Sequence, residues 1–106
     1  KSNIVNFEYE SKITNKYPNP FYFREDNDAA VKIYFELANK GANSISIYNI
    51  RGKKVKEYDL SNYGIGENMI KWYGRDVNNI QVSSGLYFIR LKSTDKNDIK
   101  KLLIIK

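Results

Sequence analysis

Period-two alternation, cut by turn signals at roughly 8–12-residue spacing, constrains this chain more than any other feature of its sequence. Val31, Ile33, Phe35 and Leu37 alternate with Lys32, Tyr34 and Glu36, which sends one set of side chains to a core and the other to solvent. Ile45 and Ile47 alternate with Ser44, Ser46 and Tyr48 in the next strand. Residues 49–53 read as a tight reversal in which Gly52 takes the left-handed conformation. Residues 55–60 return as a charged strand suited to a sheet edge, and 62–67, with two glycines, read as a loop. Residues 68–72 form another strand with Ile70 and Trp72 on one face. Residues 86–91 are apolar on both faces, the mark of a central strand. A polar turn over 93–98 precedes a final strand over 99–105, and Val5, Phe7 and Tyr9 alternate as a possible first strand. No segment has convincing helical spacing.

About seven short strands in one run of 106 residues predict a single all-β domain, an Ig-like antiparallel β-sandwich. Gly85-Leu86-Tyr87 fits the tyrosine corner of such sandwiches, with the phenol bonding back to nearby backbone. Trp72 is then a core residue facing the opposite sheet.

The residue types that are missing narrow the chemistry. The chain has no cysteine, so no disulfide framework or thiolate metal site is available, and no histidine, the commonest general base and metal ligand. We expect no catalysis and no cofactor. The longest apolar run, Leu102 to Ile105, is far below the ~20 residues of a membrane helix, so no membrane insertion is expected. The net charge is +6, yet the basic residues occur singly or in twos and threes without forming a helical stripe. That dispersal favours a soluble surface with protected edges over nucleic-acid binding. Lys1 in place of an initiator Met leads us to expect a fragment of a longer precursor.

Several motifs have local physical readings. In Tyr17-Pro18-Asn19-Pro20-Phe21 the prolines fix φ and bias their predecessors toward extended backbone, leaving Tyr17 and Phe21 to anchor the segment on the sandwich end. Trp72-Tyr73-Gly74-Arg75-Asp76 leads into a hairpin in which Asn79 supplies a left-handed turn residue. Asp76, Asn78 and Asn79, and Asp26, Asn27 and Asp28, carry oxygens but too few for calcium, and read as Asx-turn residues. Lys100 and Lys101, four apolar residues and Lys106 make a closing strand bounded by charge. Nine tyrosines raise a different possibility, rings stacked on sugars, for which Tyr22, Tyr58, Tyr63 and Tyr73 are the candidates for exposure.

In their order and spacing, these motifs over residues 16–106 resemble the C-terminal sorting domain, type A, of proteins exported by the bacterial type IX secretion system. They are similar too to the Ig-like domain of the flagellar hook-capping protein. The family pattern places Asp after the Trp and Gly at the turn, where this chain has Tyr73 and Asn79. The resemblance implies a non-catalytic address label joined to an N-terminal cargo protein, with residues 1–15 a linker or an extra strand. Its partners would be the type IX translocon and the surface peptidase or sortase that removes it. Its location would be secreted or cell-surface, reached through the periplasm of a Gram-negative bacterium. Gly85, Tyr87, Lys100, Lys101 and Lys106 are then the expected recognition residues. Tyr17, Pro18, Asn19, Pro20, Gly52, Trp72, Gly74 and Asp76 are the shape-giving ones. A structural Ig-like spacer or assembly module is the alternative, and a carbohydrate-binding sandwich a further one.

Overall fold

In the computed structural model, which describes residues 10–14, 19–23, 30–94 and 96–106, the alternating runs become the strands of two sheets. In chain order they are β1 (Lys12–Ile13), β2 (Phe21–Tyr22), β3 (Val31–Leu37), β4 (Ser44–Asn49), β5 (Lys54–Asp59), β6 (Gly66–Trp72), β7 (Gly85–Lys92) and β8 (Asn97–Ile105). One sheet has the order β1-β3-β6 and the other β2-β8-β7-β4-β5. Neighbours are antiparallel except for β2, which runs parallel to β8. The charged β5 is an edge and the doubly apolar β7 is central, each where its side chains allow.

Two boundaries differ from expectation by two residues. β6 begins at Gly66, because Gly66 and Glu67 continue the β3 register opposite Leu37 and Glu36. β8 begins at Asn97, because Asn97 and Asp98 pair with Lys92 and Leu91. Val5, Phe7, Tyr9, Tyr17, Pro18 and the Asp26–Asp28 cluster lie outside the described residues. No helix among the described residues is long and apolar enough to cross a membrane.

The core lies between the sheets. Val31, Ile33, Phe35, Leu37 and Trp72 from one face meet Ile45, Ile47, Ile89, Leu91, Leu102 and Ile104 from the other, all fully buried. Each large side chain contributes about 1.5–3 kcal/mol by leaving water. One end of the sandwich is closed by a polar knot. The Ser93 hydroxyl lies 2.6 Å from Asn43 Oδ1 and 3.0 Å from Ser11 Oγ, which accepts from the Ala38 amide. Beside it the Ile13 amide donates to the Asp98 carboxylate at 2.8 Å, and Lys96 pairs with Glu10. The first contact ties β1, a strand of the smaller sheet, to β8 of the larger, and the second joins the residues that lead into those two strands.

Candidate recognition surface

The other end of the sandwich is aromatic. The Trp72 ring packs edge-on against Tyr87, with centroids 5.8 Å apart, and against Phe23 at 6.5 Å, and Phe23 in turn lies 4.8 Å from Phe21. The indole nitrogen donates to the Arg75 carbonyl at 3.0 Å, so the core residue also holds the loop that follows it. Tyr87 is buried, and its hydroxyl donates to the Ser83 carbonyl at 2.7 Å, forming the expected corner. Burial pushes that hydroxyl's pKa above its ordinary value.

Both turns that the sequence singles out are built as read. Asn49 Oδ1 accepts from the Arg51 and Lys53 amides, and Gly52 sits at φ +83°. Asp76 Oδ1 accepts from the Asn78 and Ile80 amides, both at 2.9 Å, and Asn79 sits at φ +62°. The Asp76 carboxylate is thus engaged with backbone, as an Asx turn requires. Gly74, at φ +73°, closes the hairpin by accepting from the Val82 amide at 2.8 Å.

The segment around Pro20 does more than guide the chain inward. The Asn19–Pro20 bond is cis. The Asn19 side chain accepts from the Leu103 amide at 2.9 Å and donates to the Lys101 carbonyl at 3.3 Å, standing in for a strand residue against β8. Phe21 and Tyr22 continue that edge in parallel register with Ile104 and Ile105, and the Phe23 amide bonds the Ile105 carbonyl at 2.9 Å. The Lys106 amide donates to Ser84 Oγ at 3.0 Å. The closing strand is therefore held on both sides, by β7 and by the Asn19–Phe23 segment, and does not offer its last residues as an open edge.

The five expected recognition residues do not form one patch. Lys100 lies half-buried on the Leu102–Ile104 side of β8, Lys101 is exposed on the opposite face across from Phe88, and Lys106 is exposed past the strand's far end. Gly85 opens β7 opposite Ile104, and Tyr87 is interior. What gathers on the outer face of the larger sheet is an apolar stretch that the residue-by-residue reading missed. Leu103 (39% exposed) stands opposite Leu86, Lys101 opposite Phe88, Ile99 (57% exposed) opposite Arg90, and Tyr22 (55% exposed) beside Ile105. Its signal was present in the sequence. A strand apolar at four consecutive positions must present two of them away from the core.

The four tyrosines proposed for exposure divide. Tyr22 and Tyr73 are exposed, whereas Tyr58 and Tyr63 are half-buried and packed on the core, Tyr63 with its ring 5.8 Å from Phe35. Tyr58 donates to the Lys71 carbonyl at 3.3 Å across the two sheets. Burial, with Tyr63 and Tyr73 adding to it, pushes its hydroxyl up to about 12. The expectation for Tyr58 and Tyr63 is corrected: Tyr58 stands opposite the buried Ile45 on the core side of β5, and Tyr63 packs on Phe35 from the crossing between β5 and β6.

Fold, corner and tryptophan end define an Ig-like β-sandwich. The FlgD Ig-like domain profile matches residues 20–97, and the chain belongs to that family. Two solved structures from Porphyromonas gingivalis share its fold. PorZ, described as an essential bacterial surface component of the type-IX secretion system, is similar over 85% of this chain at 20% identity and a TM-score of 0.60. Dimeric latent PorU is similar over 90% of this chain at 18% identity and a TM-score of 0.61. The chain spans only 11% and 9% of those two proteins. No curated protein sequence matches it significantly.

Proposed function

We propose that this domain is a non-catalytic sorting domain of the type IX secretion system, directing an N-terminally attached cargo across the outer membrane and then being cleaved off. The observation that carries this reading is the sandwich itself, an FlgD-type Ig-like fold that recurs in two proteins, one of which, PorZ, is a surface component of that system. The held-in closing strand supports it. A label that must remain folded while a partner inspects it is best presented as a rigid face, here the outer side of β7 and β8 with Lys101 beside Phe88 and Leu103. Lys106 would extend that contact past the strand end, and Lys100, on the other side of β8, would act at the sandwich rim.

Fusion of residues 1–106 behind a signal peptide and a folded reporter, in a type IX-competent host known to accept related signals, tests the reading. The intact fusion should reach the surface or medium. Removing residues 102–106 is a poor control, since Leu102 and Ile104 are fully buried and their loss unfolds the domain. Reversal of Lys100, Lys101 and Lys106 to Glu keeps the core and should leave the reporter periplasmic. Retention of the intact fusion sinks the sorting reading, and export of the charge-reversed one sinks the lysine assignment. The family match favours one second reading, an assembly or spacer module, which predicts retention of both fusions with the domain folded.

A further inference from the structure

The outer face of the three-stranded sheet carries a charge order that folding does not explain. In the β3–β6 register Lys32 stands opposite Lys71 and Glu36 opposite Glu67, with Tyr34 opposite Met69 between them. Val31, Ile33, Phe35 and Leu37 occupy the core side, so these six share the outer one. Like charges directly opposite across a strand pair destabilise a sheet. Exchanging Lys32 with Glu36 would make both pairs attractive, yet the chain segregates its charges to the two ends of the face. Lys12 on β1 relieves one end in part, its ammonium 3.3 Å from Glu36. Lys32, Lys71 and Glu67 make no ion pair among the described residues. The face thus runs from a basic row, through Tyr34 and Met69, to a net acidic row, each row about 6.8 Å from the next.

That order is complementary to itself. A two-fold axis through the Tyr34–Met69 row, lying in the interface and perpendicular to the strands, lays β6 over β6 of a copy and reverses the rows. We propose that this face docks on the same face of a second copy of the chain, with Lys71 against Glu67, Lys32 against Glu36, and Tyr34 and Met69 at the centre. A uniformly acidic partner would leave Glu67 repelled, and an apolar one would leave Lys32, Lys71 and Glu67 unpaired, so a copy matches all three rows best. The area is on the order of 300 Å² per protomer from strand dimensions, below that of stable complexes, which makes the dimer weak and transient. The inference is independent of the sorting reading.

Sedimentation and NMR dilution of the isolated domain up to about 1 mM, a concentration matched to weak association, provide the test. Self-association should be present at about 0.01 M salt and vanish at about 1 M, where the screening length falls from about 30 to about 3 Å. Lys71→Glu and Glu67→Lys each create an attractive pair within the chain, so neither endangers folding. Each should nonetheless weaken self-association about tenfold, because two like-charge contacts now face each other across the axis. Mixing the two variants restores both contacts and should restore association to the wild-type level. A wild type that stays monomeric at low salt overturns the proposal. So do variants that associate as the wild type does, or a mixture that fails to recover.

Discussion

Gly74 and Gly52 both sit at positive φ, +73° and +83°, but only one of them has a neighbour where a side chain would go. A Cβ at Gly74 would lie 2.7 Å from Phe23 Cζ and 2.9 Å from Cε2, whereas one at Gly52 would meet nothing within 4 Å. Phe23 cannot easily yield, being wedged between Phe21 and Trp72 and buried. Gly52→Ala should therefore show the backbone cost alone, roughly 1–2 kcal/mol for an L-residue held left-handed. Gly74→Ala adds overpacking of roughly 1–3 kcal/mol, for a total of roughly 2–5 kcal/mol. Against the ~5–15 kcal/mol of a typical domain that is a large fraction. At about 5 °C per kcal/mol for a domain near 100 residues, melting should fall roughly 5–10 °C for Gly52→Ala and roughly 10–25 °C for Gly74→Ala. Urea unfolding of both variants measures the difference, and any entropy lost from the unfolded chain cancels between them. Phe23→Leu combined with Gly74→Ala should be less destabilised than the sum of the single changes, the excess being the clash itself. The reasoning is refuted if Gly74→Ala costs no more than Gly52→Ala, or if the double substitution is additive.

Other expectations concern the turns, the clamp and the phenols. Asn79→Gly should stabilise the domain and Asn79→Ala destabilise it by about 1 kcal/mol, because φ +62° suits glycine and strains alanine; equilibrium unfolding distinguishes the signs. Asn19→Ala removes two bonds to β8 and should cost about 1–2 kcal/mol, with amide exchange accelerated at Leu103, the amide it accepts from, more than at the interior Ile89. The Tyr58 pKa is raised on folding to about 12 from 10, so the unfolded chain loses that proton first as pH rises. Its contribution is complete below pH about 10 and is lost on rising through about 12; Tyr58→Phe should flatten that limb of a stability–pH curve, and an unchanged slope would contradict the assignment.

How much was legible depends on how local each cause is. The alternation in β3 and β4, the doubly apolar β7 and the Asn49–Lys53 and Asp76–Asn79 turns rest on neighbours in sequence, and they stand in the structure as read. The Trp72 and Tyr87 roles were also visible, since a large ring on an alternating strand and a tyrosine at a strand's start have few other places to go. The candidate recognition surface was less legible. Lys100, Lys101 and Lys106 look like one group along the chain, but strand geometry separates Lys100 from Lys101 to opposite faces and carries Lys106 past the end.

The sequence alone determined that this protein is an all-β sandwich, because side-chain periodicity and turn chemistry act within a few residues and leave a helix nothing to bury. Only the tertiary structure decided what faces what. The Asn19 amide became a surrogate strand residue for β8, Asp98 came to hold β1, and Lys32 came to stand opposite Lys71. Those contacts join positions far apart in the chain, and register between strands is set by the packing of a whole face, which no local pattern records.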